Sequence, residues 1–151
     1  MATNQYDAVV VGARCAGSPT AMLLAEKGYK VLVVDKATFP SDTISTHLVH
    51  PPGMAALRKW GLKDELVGTG CPPIDTYMFD LGPIALTGHP GTPDEPVSYG
   101  PRRTVLDKLL VDAADAIEPV HVLELGIARK AQVVDHLQIF ECTQAIERSE
   151  A

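Results

Sequence analysis

Hydrophobic residues fall in two rhythms along this chain. Tyr6–Val11 ends in an apolar run with three consecutive valines, bounded by Gly12, and Lys30–Val34 is a second such run closed by Asp35. Runs without alternation predict parallel strands buried on both faces. Between them, Ser18–Lys27 carries Ala21, Leu24 and Ala25 at helical spacing, with Met22 and Leu23 widening the apolar face. Pro19 suits the first turn, where its missing N–H is no loss, and Gly28 supplies the stop. Strand, small-residue turn, helix and strand fit into about thirty residues, the length of a βαβ unit.

Downstream the rhythm changes. Ala37–His50 is polar and contains Pro40, and Pro51–Trp60 reads as a helix begun by prolines and ended by Gly61. Asp64–Val67 suggests one further turn. From Gly68 to Gly100 glycine and proline are dense, which predicts short antiparallel strands and loops. Ile74–Asp80 alternates weakly, and Leu81–Thr87 is its expected hairpin partner across Gly82-Pro83. Arg102–Ile117 presents Val105, Leu106, Leu109, Leu110, Ala113 and Ile117 on one helical face. Val120–Leu125 is expected as a third parallel strand. In the last segment, Ala128–Gln138 reads as helix while His136–Cys142 reads equally as strand. The expected fold is therefore α/β: a Rossmann-type βαβ unit with a parallel sheet and a short antiparallel hairpin region. The expected organisation is a dinucleotide-binding domain over 1–125, with a loop and hairpin insertion at 68–100 and a tail at 126–151.

Composition narrows the function classes. The 151 residues suffice for one domain with a core, and 46% apolar content is ordinary for a globular chain. The formal net charge is −6 and no basic stripe occurs, which argues against nucleic acid and anionic membrane as partners. No apolar run reaches membrane-spanning length, and no basic region precedes the first strand. Three well-separated cysteines without CxxC pairing point to a reducing compartment, with the cytoplasm as the expected location, and to no metal or disulfide framework.

The chemistry concentrates in VVVGARCAGSPTAMLLAEKGYKVLVVDK. A pyrophosphate needs backbone N–H donors and a positive helix end beneath it. Gly12 makes the tight turn, Gly17 permits close approach of helix and sheet, and Ala13, Cys15 and Ala16 keep the turn small. Asp35, followed by Lys36, stands about twenty residues on, where an acid accepts hydrogen bonds from the adenosine ribose. Arg14 replaces the expected middle glycine. Its guanidinium either lies clear of the turn or over the phosphates, where it suits their charge, or it crowds the turn. A Rossmann unit of this kind binds the ADP half of FAD or of NAD.

At Gly12-Ala13-Arg14-Cys15-Ala16-Gly17-Ser18 the chain resembles a subgroup of FAD-dependent oxidoreductases. They belong to the superfamily of p-hydroxybenzoate hydroxylase-like monooxygenases, geranylgeranyl reductases and flavin-dependent halogenases. Phe39–Leu62 and Gly100–Ala114 are similar as well, so the likeness runs from about Tyr6 to Ile117. The resemblance implies FAD at Gly12, Gly17 and Asp35. It also implies an arginine near the cofactor at Arg103, which opens an R-x-x-L-D-x-x-L pattern with Leu106, Asp107 and Leu110. The loop Ser41–His50 corresponds to a stretch close to the flavin. Such flavoproteins are longer and carry a downstream GD motif; no GD dipeptide occurs here, so an incomplete flavoprotein fold is expected.

The resemblance implies an FAD-dependent oxidoreductase, monooxygenase- or reductase-like, using NAD(P)H on a small organic substrate. The competing class is a non-catalytic ADP-binding module. No residue is an obvious acid, base or nucleophile. Cys15, at a helix start that lowers a thiol pKa, reads more simply as a small packing residue. His47 and His50 lie in the loop expected near a flavin, although a surface or capping role is the simpler reading of both. His89, His121 and His136 show no ligand spacing. Apolar surface left over by a short chain predicts self-association into a homo-oligomer.

Overall fold

A computed structural model describes residues 5–124. The segment 125–151, with its alternative helix and strand readings, lies outside the described residues. Contacts divide the chain into two compact units, one built from residues up to Phe39 together with those from Ala114 onward, the other from Pro40–Ala113.

The first unit contains β1 (Ala8–Val11), α1 (Gly17–Ala25), β2 (Val31–Asp35) and, further along the chain, β7 (Val120–Glu124). All pairing is parallel, in the order β1-β2-β7, with Val10 beside Val33 and Asp35 beside Glu124. This is the 3-2-1 half of a doubly wound sheet, and it bears out the Rossmann-type α/β reading. Every residue of β2 is buried, as its continuous apolar run predicts. Tyr6 packs edge-on against His121 and under Lys30, giving that histidine a packing role.

One expectation fails. β1 is not buried on both faces: Val9 is 41% and Val11 86% exposed. The physical reason is position, because among the described residues β1 is an edge strand, paired only with β2. A run of valines signals β-propensity and burial on average, but it does not distinguish a central strand from an edge.

The second unit holds α2 (Pro51–Lys59), α3 (Lys63–Gly68), four short strands and most of α4 (Arg103–Asp115). α2 begins with two prolines after His50, and Met54, Leu57, Leu62 and Leu66 are buried. The glycine- and proline-rich region is antiparallel, as expected, but its partners differ in detail. Ile74 does not belong to the hairpin: β3 (Pro73–Ile74) pairs with β6 (Ser98–Tyr99), and the hairpin proper is β4 (Tyr77–Asp80) with β5 (Ala85–Gly88). Val49 bridges to Tyr99 through two backbone hydrogen bonds. α4 stops at Asp115, two residues short of the expectation, as the chain approaches Pro119.

Two charged contacts tie this unit together. Glu95 is buried, and Lys63 Nζ donates to its Oε2 at 2.6 Å while Arg58 Nε lies 3.2 Å from Oε1. The exposed Arg102 meets Asp42; that guanidinium, with the Thr43 N–H, holds the Asp42 carboxyl below its ordinary value. The Asp42 pair therefore favours the folded state at neutral pH and loses its contribution as falling pH protonates the carboxylate.

Three outcomes follow from this packing. Val11→Thr should change unfolding free energy by no more than about 0.5 kcal/mol. Val33→Thr, which buries an extra hydroxyl, should cost about 1–3 kcal/mol in denaturant titrations. Lys63→Ala leaves a buried carboxylate facing only the half-exposed Arg58, and should cost about 1–3 kcal/mol in the same titration.

Candidate dinucleotide site

The site is the turn between β1 and α1, at the carboxyl end of the parallel sheet, where open α/β sheets bind ligands. The chain leaves β1 through Gly12, whose N–H donates to Val34 O at 2.7 Å. Its φ is +100°, a conformation that L side chains rarely adopt, and a Cβ there would project into open space. Gly17 is constrained differently. A Cβ on it would lie 1.6 Å from Gly12 O and 3.2 Å from Val10 Cγ1. The close approach predicted for Gly17 is thus made chiefly to the turn's own backbone.

Ala13 is fully buried, and its N–H donates to Asp35 Oδ2 at 2.8 Å. The other carboxylate oxygen accepts the Ala37 N–H, also at 2.8 Å. Asp35, 7% exposed, therefore holds the glycine turn and the chain leaving β2 with one group. Buried Ser18 donates from Oγ to Ala13 O at 2.5 Å. α1 starts with no side-chain cap and no acid in its first turn, which preserves the positive end of its dipole. Cys15, Ala16 and Lys36 are exposed around this turn.

The Arg14 Cζ lies over the Phe39 ring, 5.2 Å from its centroid. The guanidinium is drawn toward the segment after β2, a cation–π placement. Phe39 is itself held, its N–H donating to Glu124 Oε2 at 2.9 Å. Sequence reasoning missed Phe39, Glu124 and the backbone role of Asp35. The available signal was that Asp35 and Glu124 stand at or beside the carboxyl ends of two expected parallel strands.

Gly12, Ala13, Arg14, Cys15, Ala16, Gly17, Asp35 and Lys36 are thus brought together within one unit. Arg103 belongs to the other. It is the first residue of α4, and its Nε and Nη2 lie 2.9 and 2.8 Å from Oδ1 of the fully buried Asp107. The structure displays Arg103 as a helix-start arginine paired with a carboxylate.

The loop histidines also take defined places in the second unit. His47 has a left-handed backbone (φ 51°). His50 Nδ1 is 2.8 Å from Tyr77 Oη, which is 2.7 Å from Oγ of buried Ser98. His89 Nδ1 lies 3.0 Å from Asp75 O. Among the described residues, no helix is long and apolar enough to cross a membrane.

The donor set fits the ADP half of a dinucleotide. There is open space beside Gly12, an uncapped helix start, an acid at the end of β2 and cationic Arg14 and Lys36 nearby.

Comparison with known proteins agrees. A family model described as "FAD binding domain" matches residues 5–134. Squalene monooxygenase of Candida glabrata is 36% identical over 115 residues, covering 74% of this chain and 24% of the relative. Menaquinone reductase of Mycobacterium tuberculosis is 46% identical over 59 residues, 39% of this chain and 14% of the relative. Among solved structures, the myxobacterial chondrochloren halogenase, a variant of FAD-dependent halogenases, superposes with a TM-score of 0.70 at 27% identity, covering 79% of this chain and 28% of that one. The p-nitrophenol 4-monooxygenase of Pseudomonas putida shares the fold, with a TM-score of 0.66 at 21% identity, over 82% of this chain and 32% of that one. The chain spans about a quarter of the length of the squalene monooxygenase. With the model matching most of the chain and the glycine turn in place, the chain belongs to the FAD-binding domain family.

Proposed function

We propose that this chain holds the ADP half of FAD at the Gly12–Gly17 turn, as part of an FAD-dependent oxidoreductase of the monooxygenase or reductase kind. The observation that carries this reading is Asp35, tied to the turn through Ala13 and placed at the end of β2. An ionised carboxylate has about four acceptor positions. Two are used by Ala13 and Ala37, leaving acceptor capacity for the ribose hydroxyls. The α1 start supplies N–H donors and positive potential to the pyrophosphate, and Arg14, steadied by Phe39, adds charge at its margin. Lys36 adds a second cation beside the adenosine.

Bound FAD supplies the redox chemistry. The protein's own part at this turn is binding, orientation and electrostatics. NAD(P)H as the reductant and a small organic molecule as substrate extend the same reading, supported by relatives named as monooxygenases, reductases and halogenases. A cytoplasmic location goes with it, supported by the cysteine spacing. The resemblance assigns Arg103 to the flavin half, and its pairing with Asp107 fixes the guanidinium plane.

The direct test is an absorption spectrum of the purified chain after incubation with FAD and desalting, with calorimetric titrations of FAD, ADP and NAD beside it. Retained flavin absorbance, with FAD and ADP bound through the same turn, is expected; no binding of any of the three would leave a scaffold without its ligand.

Asp35→Ala should weaken FAD and ADP about ten- to a hundredfold. It should also lower stability by about 1–3 kcal/mol, because the buried Ala13 N–H loses its acceptor. Unchanged affinity would remove the ribose role. Gly17→Ala should cost at least about 1–3 kcal/mol, since the overlap is with backbone, and should abolish flavin retention. Arg103→Ala should weaken FAD more than ADP; equal losses would remove Arg103 from the flavin half.

A further inference from the structure

Asp35 of β2 and Glu124 of β7 are partners in register on neighbouring parallel strands. Both spend an oxygen on the same short segment. Asp35 Oδ1 accepts the Ala37 N–H at 2.8 Å, and Glu124 Oε2 accepts the Phe39 N–H at 2.9 Å. Residues 36–40 lie in no helix or strand, so the two carboxylates stand in for the ladder that the chain has left. Pro40 narrows Phe39 further, because the residue before a proline is held to extended backbone. The Phe39 ring thus starts from a fixed point, and the Arg14 Cζ lies 5.2 Å from its centroid. The backbone of Arg14 is set as well, since its carbonyl accepts the Ser18 N–H at 3.2 Å as α1 begins. What remains to be chosen is the direction of a long side chain, and holding an arginine in one direction costs rotamer entropy.

We propose that Phe39 and Glu124 are positioning residues that aim Arg14 at the pyrophosphate of the ADP half, an inference that rests on the dinucleotide reading above. Arg14 occupies the middle position of the glycine pattern, where a large side chain helps a ligand only if it is held out of the turn. The Phe39 ring holds it through charge, as a cation–π contact. A guanidinium carries five N–H donors in one plane, more than a ring contact uses. It can therefore bond phosphate oxygens, whose charge and shape it suits, while the ring is kept. Glu124 acts at one remove. Its part is to accept the Phe39 amide proton, so an uncharged acceptor of the same shape would serve equally well.

Titration of the whole chain with ADP, and with adenosine, which lacks the phosphates, tests this. Arg14→Ala should weaken ADP about ten- to a hundredfold, the loss of a charged hydrogen bond, and leave adenosine unchanged. Phe39→Leu and Glu124→Ala should each weaken ADP about three- to fivefold, the worth of an exposed cation–π contact, again with adenosine unchanged. In an Arg14→Ala background neither should have a further effect, because the three residues act as one unit. Glu124→Gln keeps an acceptor for the Phe39 N–H and should recover most of what Glu124→Ala loses. Before any ligand is added, the Arg14 Nε–H resonance should carry the ring-current shift of an aromatic neighbour in wild type and Glu124→Gln. Phe39→Leu and Glu124→Ala should lose that shift.

If wild type binds ADP and both Phe39→Leu and Glu124→Ala bind it equally well, the proposal is overturned and the dinucleotide reading stands. Equal losses for ADP and adenosine would reduce the two residues to structural parts, as would undiminished losses in the Arg14→Ala background. Glu124→Gln as weak as Glu124→Ala would also overturn it, because the carboxylate charge, and not the amide contact, would then place the arginine. Failure of wild type to bind ADP at all is a different result: it would refute the dinucleotide reading, and the aiming of Arg14 at a phosphate with it.

Discussion

The dinucleotide turn depends on one carboxylate. Asp35 accepts the Ala13 N–H with one oxygen and the Ala37 N–H with the other, both at 2.8 Å. Ala13 has no exposed surface, so its N–H has no recourse to water. Without an acceptor it would carry the cost of a buried unsatisfied donor. The acid that sequence patterns assign to a ligand thus also works on the protein's own backbone. Under the proposed ribose role, shape and recognition are coupled at this residue, so a change there would act on both.

That coupling was only half legible in the sequence. The glycine spacing, the apolar runs and the acid at the second strand end located the βαβ unit, because each reflects a requirement that few residue types meet. Gly17 is the plainest case: no side chain fits against Gly12 O. Arg14 is the opposite case. Its identity allowed both a crowded turn and an open one, and only the position of Phe39 chooses between them. Phe39 lies 25 residues further on and follows no short-range pattern with Arg14. Contacts set by where two loops meet leave no periodicity to read.

The misreading of β1 has the same origin. Burial of a strand depends on its neighbours in the sheet, and valine has the same local preference at an edge as at the centre. β2 and β1 look alike in sequence, yet one is wholly buried and the other presents Val11 to solvent. The hairpin was legible for the reverse reason. Its Gly82-Pro83 turn is a local constraint, and the structure kept it while moving Ile74 into a different pairing with Ser98.

The second unit relies on a different kind of constraint. Glu95 and Asp107 are both buried, and each is met by cations from helices: Lys63 and Arg58 for the first, Arg103 for the second. Burying a carboxylate is costly even when it is paired, so such groups add less stability than apolar residues of similar volume. What they impose is geometry, since a buried charge tolerates only the arrangement that brings its partner within reach. Glu95 joins the segment before β6 to α2 and α3, whereas the Arg103–Asp107 pair lies four residues apart at the start of α4. The Arg103–Asp107 pair fixes one guanidinium at the start of a helix. Because that pair holds the guanidinium whether or not a ligand is bound, affinity for FAD measured against ADP, and not stability alone, is what separates a ligand role for Arg103 from a structural one.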